Sequence, residues 1–372
     1  MALQALPNQN SSPRVVISIL NWNGWQDTLE CLKSVRQLDY PNYLIVVVDN
    51  GSTNDSAERI KGWASEHLGP GHALVEYLEE TAIRGGDDPA EAALENAPSA
   101  NRLVLVRNKD NLGFTGGNNV AIQYALRRKI PTDYVFLLNN DTWLEPDCVE
   151  QLVAVHRQTG AGIVGAVVLD GTDHQVDFAG RTTLVRNFFS PYVNWHLPPP
   201  ANGEDSWTSE TVFGTALMIS TPALEAVRKL TGEYMDSAIY LYGDETSLCS
   251  NALRAGYETR VARRAVVYHR NGKSSGGGPN PLASYYCHRN LIRMAGEFLP
   301  LHWWILFQLV QLPTCTARAA KRLLSGRPRV AWAIVLGLID GYQGVGGKWK
   351  HHDQEAQRLR ARTSNPLPPT GS

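Results

Sequence analysis

The sequence predicts an α/β fold, a mostly parallel sheet with helices on both faces. Two observations lead there. Short apolar runs rich in Val, Ile and Leu recur along the first half of the chain, and continuous runs of this kind suit strands buried on both faces. Strand and helix patterns alternate four times with connections too long for hairpins, which is the signature of parallel pairing.

Residues 15–20 (VVISIL) give the first strand, and Asn23 or Gly24 can cap a helix carrying Leu29, Leu32 and Val35 on one face. Residues 44–48 (LIVVV) give the second strand, followed by a helix over about 54–66. Residues 68–101 read as an acidic insertion broken at Gly69-Pro70-Gly71 and Gly85-Gly86, with seven acids against one Arg. Residues 102–106 (RLVLV) form the next strand, 114–127 a helix and 134–138 (YVFLL) a further strand. Pro146 suits the first turn of a helix bearing Leu152 and Val155, and a strand follows over 163–169. The second half is less regular, with strands expected at 211–220 and 258–268 and helices from Pro222 and over 244–255.

With 372 residues, 43% of them apolar and 19% charged, the chain has room for a large core, and global disorder is excluded. Its 35 Lys and Arg against 36 Asp and Glu argue against a nucleic-acid partner. The five Cys are scattered without CxxC or finger spacing and read as reduced thiols in a cytosolic compartment. The N-terminus lacks a basic, then apolar, leader. The expected organisation is a disordered leader over 1–13, a catalytic domain over 14–295, a helical segment over 296–350 and a disordered tail over 351–372.

Ligands of such sheets sit at the carboxyl ends of the strands. Four polar clusters fall there: Asn21-Trp22-Asn23-Gly24, Asp49-Asn50-Gly51-Ser52, Arg107-Asn108 and Asn139-Asn140-Asp141. Together they predict a nucleotide-sized site. The Asp141 carboxylate, fixed at a strand end, can hold a hard divalent cation and leave positions for a diphosphate, although Asn-Asp turns are also common structural choices. Asp244-Glu245 opens a helix, where the dipole alone favours acids. The functional reading is a general base whose pKa rises because adjacent carboxylates repel each other's ionisation. Residues 108–119 run from a strand end into a helix with glycines that allow close ligand approach. His269 ends a strand and precedes a Gly/Ser-rich loop over 271–278 that can wrap a diphosphate or serve as a plain connection. Neither GxGxxG after the first strand nor GxxxxGK[ST] occurs, so a Rossmann dinucleotide site and a P-loop are unsupported.

The ordered set ISILNWNG, VVVDNGSTNDS, RNKDNLGFTGGNN, FLLNNDTWLEPD, YLYGDETSLCSNALRAGY and VVYHRNG resembles the family 2 inverting glycosyltransferases of bacteria, and more closely their rhamnosyltransferase-like branch. The resemblance covers about residues 14–295. It implies an A-type glycosyltransferase fold and a single inverting displacement. The implied donor-binding residues are Asn21, Asp49, Asn111, Gly113, Asn140 and Asp141. Asp141 and His269 are the implied ligands of a divalent cation, manganese or magnesium, and Asn139 stands where many relatives have a second acid. Glu245 takes the position of the base, in a pair that is reversed here as Asp244-Glu245. The implied partners are a nucleotide-sugar donor, dTDP-rhamnose, and a glycan or lipid-linked acceptor. The alternatives are a non-catalytic sugar-nucleotide or glycan-binding protein of the same fold, and a nucleotidyltransferase, which NWNG does not support.

Residues 298–317 carry no charged side chain over twenty residues and include Trp303 and Trp304. Pro300, His302, Gln308, Gln311 and Pro313 argue against a membrane span, and Arg318, Lys321, Arg322, Arg327 and Arg329 follow. This pattern reads as interfacial helices on an anionic surface, or else as core helices packed on the catalytic domain. The implied location is cytoplasmic, peripheral on the inner face of the cell membrane. All the chemical motifs end by about Gly278, so this segment reads as separable from the metal and donor sites.

Overall fold

The computed structural model describes residues 12–180, 199–201, 203–270 and 280–364. The loop expected at 271–278 lies outside the described residues, as do residues 1–11 of the expected leader and the end of the expected tail from 365.

An 11-stranded sheet runs in the order β3-β4-β2-β1-β5-β10-β7-β11-β6, with β8 beside β7 and β9 beside β11. Its centre is made by β1 (Val15–Asn21), β2 (Tyr43–Asp49), β4 (Arg102–Arg107) and β5 (Tyr134–Asn139), all parallel. These are the apolar runs of the sequence, and nearly every residue in them is buried. Each Val, Leu or Ile removed from water contributes roughly 1.5–3 kcal/mol, so the pairing is fixed by burial on both faces. Helices α1 (Trp25–Val35), α2 (Ser56–His67) and α6 (Cys148–Thr159) cover one face. Helices α5 (Gly113–Arg127), α7 (Thr221–Thr231) and α8 (Asp244–Arg254) cover the other.

The far side of the sheet is mixed. β10 (Ala216–Ser220) is antiparallel between β5 and β7 (Ile163–Asp170). β11 (Thr259–His269) is parallel to β7 and antiparallel to the three-residue β6 (Thr142–Leu144). Two more short strands, β8 (Val176–Phe178) and β9 (Ser206–Thr208), complete it. The strand expected over 211–220 is therefore only its second half, and Pro146 precedes its helix instead of entering it.

Residues 68–101 are not a solvated insertion. They contain the edge strand β3 (Ala73–Leu78), parallel to β4, and helices α3 (Glu79–Ala82) and α4 (Asp88–Asn96). Four of the seven acids there, Glu76, Asp88, Glu91 and Glu95, form ion pairs. Glu91 is buried, receives Tyr124 Oη at 2.7 Å, Tyr77 Oη at 3.0 Å and Arg128 Nε at 3.0 Å. Arg128 also meets Glu95 at 2.8 Å with its side chain fully enclosed.

Four further helices follow: α9 (Pro281–Phe298), α10 (Leu301–Leu324), α11 (Pro328–Tyr342) and α12 (His352–Ser364). The boundary expected at 295 falls inside α9. α12 occupies the expected tail because His352 and Ala356 are buried among Tyr240, Tyr285, Tyr286 and Trp349. Gly337 and Gly341 let α11 lie directly on α9, since a Cβ there would meet backbone oxygens of Tyr285 and Arg289 at 2.5 and 2.9 Å. Among the described residues no helix is long and apolar enough to cross a membrane.

The buried ion network makes a stability prediction. Glu91→Ala leaves Arg128 short of a partner inside the protein and should cost about 3–5 kcal/mol in urea unfolding. A loss below about 1 kcal/mol would show that the edge of the sheet does not depend on it.

Candidate active site

The parallel register brings the polar strand ends onto one edge: Asn21 pairs with Asp49, Asp49 with Arg107, and Leu20 with Asn139. At this edge Asp49 is the first carboxylate. Asn21 Nδ2 donates to its Oδ1 at 2.7 Å, and Ser52 Oγ donates to the same oxygen. Its Oδ2 makes no hydrogen bond among the described residues.

Asn21 itself is fully buried and saturated. Besides Asp49 it reaches Ser52 Oγ at 3.2 Å, and its Oδ1 accepts from Thr28 Oγ1 at 2.9 Å and Gly24 N at 3.2 Å. An amide has two donor hydrogens and two acceptor positions. All four are used inside the protein, where Asn21 braces Asp49. Asn140 is likewise turned inward, with Nδ2 donating to Thr28 Oγ1 at 3.0 Å and Gly24 O at 3.2 Å.

The loop before α5 is held by Asn50. Its Nδ2 donates to Gly113 O at 2.9 Å and Asn111 Oδ1 at 3.1 Å, and its Oδ1 accepts from Asn108 Nδ2 at 3.0 Å. Asn111 Oδ1 also accepts from Gly113 N at 2.9 Å. Gly113 has φ +75°, and a Cβ there would meet Tyr240 O at 2.5 Å. Only glycine fits both conditions.

Asp141 and His269 are far apart in sequence, and the β6–β11 pairing brings them together. His269 lies opposite Thr142, so His269 Nε2 stands 3.3 Å from Asp141 Oδ1. Asp177, on β8, was missed by sequence reasoning. Its carboxylate is 4.0 Å from His269 Nδ1. Nothing in the three residues Val-Asp-Phe of β8 marks it. Burial acts to lower the His269 pKa, and the Asp141 and Asp177 carboxylates override it and hold the imidazole up to about 9.

Two donors 3.3 Å apart match two ligands on one cation, since metal–ligand distances of about 2.1–2.2 Å at right angles separate the ligands by about 3 Å. No group of three or more His, Cys, Asp or Glu ligands occurs among the described residues. This edge therefore offers a hard cation two protein ligands, Asp141 and His269, among the described residues.

The acid pair sits across a three-residue bridge. Phe213 packs edge-on to His269 with ring centroids 6.0 Å apart. Thr215 O accepts from Asn139 N at 2.9 Å. Between them, a Cβ on Gly214 would lie 3.3 Å from Asp244 Oδ2 and 3.6 Å from Glu245 Oε2. This segment had been read only as strand. A glycine inside an apolar run is the signal of close approach that could have found it. Asp244 is buried and Glu245 half-buried. Burial and the neighbouring Glu245 charge push the Asp244 carboxyl well above the usual carboxylate range, and backbone N–H donors at the helix start only partly offset this.

The C-terminal segment packs against the loop that leads into the acid pair and against the end of β1. Gly347 N donates to Ala238 O at 2.8 Å, and a Cβ on Gly346 would meet Ala238 Cβ at 2.5 Å. His352 packs against Trp22, which follows β1, with ring centroids 5.6 Å apart.

The protein-family model described as "Glycosyl transferase family 2" matches residues 15–81 and 85–225, more than half of the chain. The chain belongs to that family. Among curated proteins it is 23% identical over 172 residues to the low-salt glycan biosynthesis hexosyltransferase Agl10 of Haloferax volcanii, covering 45% of this chain and 52% of that one. It is 24% identical over 248 residues to hyaluronan synthase 2 of Rattus norvegicus, covering 63% of this chain and 42% of that one. The chain thus spans about half the length of these relatives or less. Among solved structures, the mannosyltransferase PcManGT of Pyrobaculum calidifontis, in complex with GDP-Man and Mn2+, aligns over 91% of this chain and 90% of its own with a TM-score of 0.52 and 15% identity. That alignment bears out the α/β fold of A-type glycosyltransferases.

The His269 environment predicts a pH dependence of stability. A pKa raised from 6.5 to about 9 stabilises the folded state fully below 6.5 and loses that contribution as pH rises through 9. In chelator, urea unfolding should show this fall between pH 6.5 and 9.5 in the wild type and a smaller one in Asp141→Asn. Equal falls would mean that Asp141 does not hold the imidazolium.

Proposed function

We propose that the protein is a metal-dependent inverting glycosyltransferase. In this reading it moves a sugar from a nucleotide-sugar donor to a hydroxyl of a glycan or lipid-linked glycan in cell-surface polysaccharide synthesis, with rhamnose from dTDP-rhamnose as the sugar moved. The observation that carries the reading is the bridge Phe213-Gly214-Thr215, against which the His269 ring, the Asn139 strand end and the Asp244-Glu245 carboxylates all lie. A diphosphate site beside an acid pair is what a single displacement at an anomeric carbon requires.

Asp49, with Oδ1 fixed by Asn21 and Ser52, contacts the nucleoside. The Asn111–Gly113 loop flanks the donor sugar and diphosphate. Asp141 and His269 would hold Mn²⁺ or Mg²⁺. The chemistry such an ion supplies is neutralisation of charge on the departing diphosphate. The complex of PcManGT with GDP-Man and Mn2+ supports a divalent cation here. Glu245, the half-buried member of its pair, takes the proton from the acceptor hydroxyl, which attacks the face opposite the diphosphate and inverts the anomeric centre.

The same reading has the enzyme on the inner face of the cell membrane. Leu301, Ile305, Leu309 and Leu312 on α10 and Trp332 on α11 are exposed. Between Glu297 and Asp340 the chain has five cations and no acid. Apolar side chains beside an excess of cations suit an anionic lipid surface, where a lipid-linked acceptor would lie.

With the nucleotide sugar that the wild type turns over best in Mn²⁺, Glu245→Gln should lower turnover roughly 10²–10⁴-fold with donor binding near normal. Asp141→Ala should remove metal-dependent turnover while Asn139→Ala costs far less. An active Glu245→Gln with an inactive Asp244→Asn would move the base by one residue, and a fully active Asp141→Ala would reject the metal site.

Vesicles containing phosphatidylglycerol test the membrane surface. The full chain should bind them and be partly released at high salt, because charge attraction is screened within about 10 Å at 0.1 M. Leu309→Glu should weaken binding. A chain indifferent to acidic vesicles would leave the acceptor without this support.

A further inference from the structure

The loop over 238–243 leads into α8 through an unfavourable backbone. Tyr240 and Tyr242 have φ of 63° and 64°, and Gly243 has φ 88°. Bulky residues seldom occupy the left-handed region, and they persist there only where the surroundings over-determine the conformation.

Two adjacent side chains of α9 supply that constraint. The two N–H groups of Asn290 Nδ2 are shared among the carbonyls of Ile239 (3.0 Å), Leu241 (2.8 Å) and Tyr242 (2.7 Å). Arg289 Nη2 donates to Ala238 O at 2.9 Å and Ile239 O at 2.7 Å, and its Nη1 donates to Gly347 O. Arg289 Nε donates to Asn290 Oδ1 at 2.9 Å, so each side chain orients the other. Arg289 is fully buried between the Tyr285 and Tyr286 rings and forms no ion pair among the described residues. A buried cation without a counter-charge is costly, and an apolar residue would fill the space at less cost. What the guanidinium adds is a rigid fork of donors aimed at backbone carbonyls.

The clamped loop touches both halves of the site. It continues through Gly243 into Asp244-Glu245. Tyr240 O accepts from Phe114 N at 2.7 Å, and Tyr240 Oη donates to Asn111 O at 3.3 Å. One strained loop therefore borders the acid pair on one side and the loop before α5 on the other.

We propose that Arg289 and Asn290 are positioning residues that lock the 238–243 loop, and through it set the acid pair and the 111–114 loop relative to each other for transfer. The proposal rests on the reading of Glu245 as base and of the 111–114 loop as donor-binding. Neither Arg289 nor Asn290 touches the reacting atoms.

The test compares Asn290→Leu, which keeps the shape and loses the donors, with Arg289→Lys, which keeps the charge and loses the fork. Glu91→Gln, in the distant ion network, is the control for lost stability. Three readouts are taken: amide hydrogen exchange at Phe114 and the first turn of α8, kcat and donor KM on dTDP-rhamnose, UDP-glucose and GDP-mannose with Mn²⁺, and the acid limb of the kcat–pH profile. Both α9 variants should speed exchange at Phe114 roughly tenfold or more by freeing the loop locally. They should lower kcat about 10²-fold, the cost of a misplaced reacting group, with donor KM changed less than about threefold. Their acid limb should shift, and Glu91→Gln should lower the melting temperature without any of these effects. Wild-type kcat or unchanged Phe114 protection in Asn290→Leu, or in Arg289→Lys if the first variant does not fold, would overturn the proposal. A wild type that turns over none of these donors would count against the transferase reading, while the exchange comparison would still decide whether the clamp exists.

Discussion

In-register pairing of β1, β2, β4 and β5 governs where every polar group of the site ends up. These strands are apolar on both faces, so a slip of one residue would expose no better face, and what fixes their alignment is the common level at which the apolar runs stop. Asn21, Asp49, Arg107 and Asn139 stand at that level. The sheet thereby lifts a row of side chains out of the core together, and the loops that follow brace one another through Asn21, Asn50 and Asn140. The Nδ2 donors of those amides are used inside the protein, and Asp49 Oδ2 has no hydrogen bond among the described residues.

The antiparallel additions supply what a purely parallel sheet lacks. β6 turns the chain back so that Asp141 faces the end of β11, and β10 enters through Phe213-Gly214-Thr215, which brings the backbone at Gly214 close to the Asp244 and Glu245 carboxylates. Burial of Asp244 and like charge on its neighbour raise its pKa, the kind of shift that places a carboxyl among candidates for acid–base work. The Arg289-Asn290 clamp, the glycine-mediated contact of α11 with α9, and the Gly346-Gly347 turn bind the C-terminal helices to the same region.

Much of this was legible in the sequence. The apolar runs gave the central strands within a residue or two, and the polar ends gave the edge that carries the site. The pairing of Asp141 with His269 followed from a family resemblance, since 128 residues of chain separate them and no local period relates them. Other features were out of reach for definite reasons. A three-residue strand such as β6 or β8 has no periodicity to read, so Asp177 stayed hidden. Residues 68–101 read as an acidic insertion because the partner of Glu91 is Arg128, on the far side of the next strand and helix. Asn21 and a ligand-binding amide look alike in sequence, because only the fold reveals that its donors and acceptors are already taken. Arg289 and Asn290 sit in a helix whose pattern predicts nothing about the carbonyls of a loop fifty residues earlier.

The central claim is that Asp141 and His269 hold one divalent cation at the edge where the diphosphate lies. Crystals of the full chain grown with MnCl₂ and dTDP, with anomalous diffraction recorded at the manganese edge, test it most directly. The account predicts one strong peak within about 2.5 Å of both the Asp141 carboxylate and His269 Nε2, in contact with the diphosphate. A bound diphosphate with no manganese there, or manganese held by other residues, would contradict it.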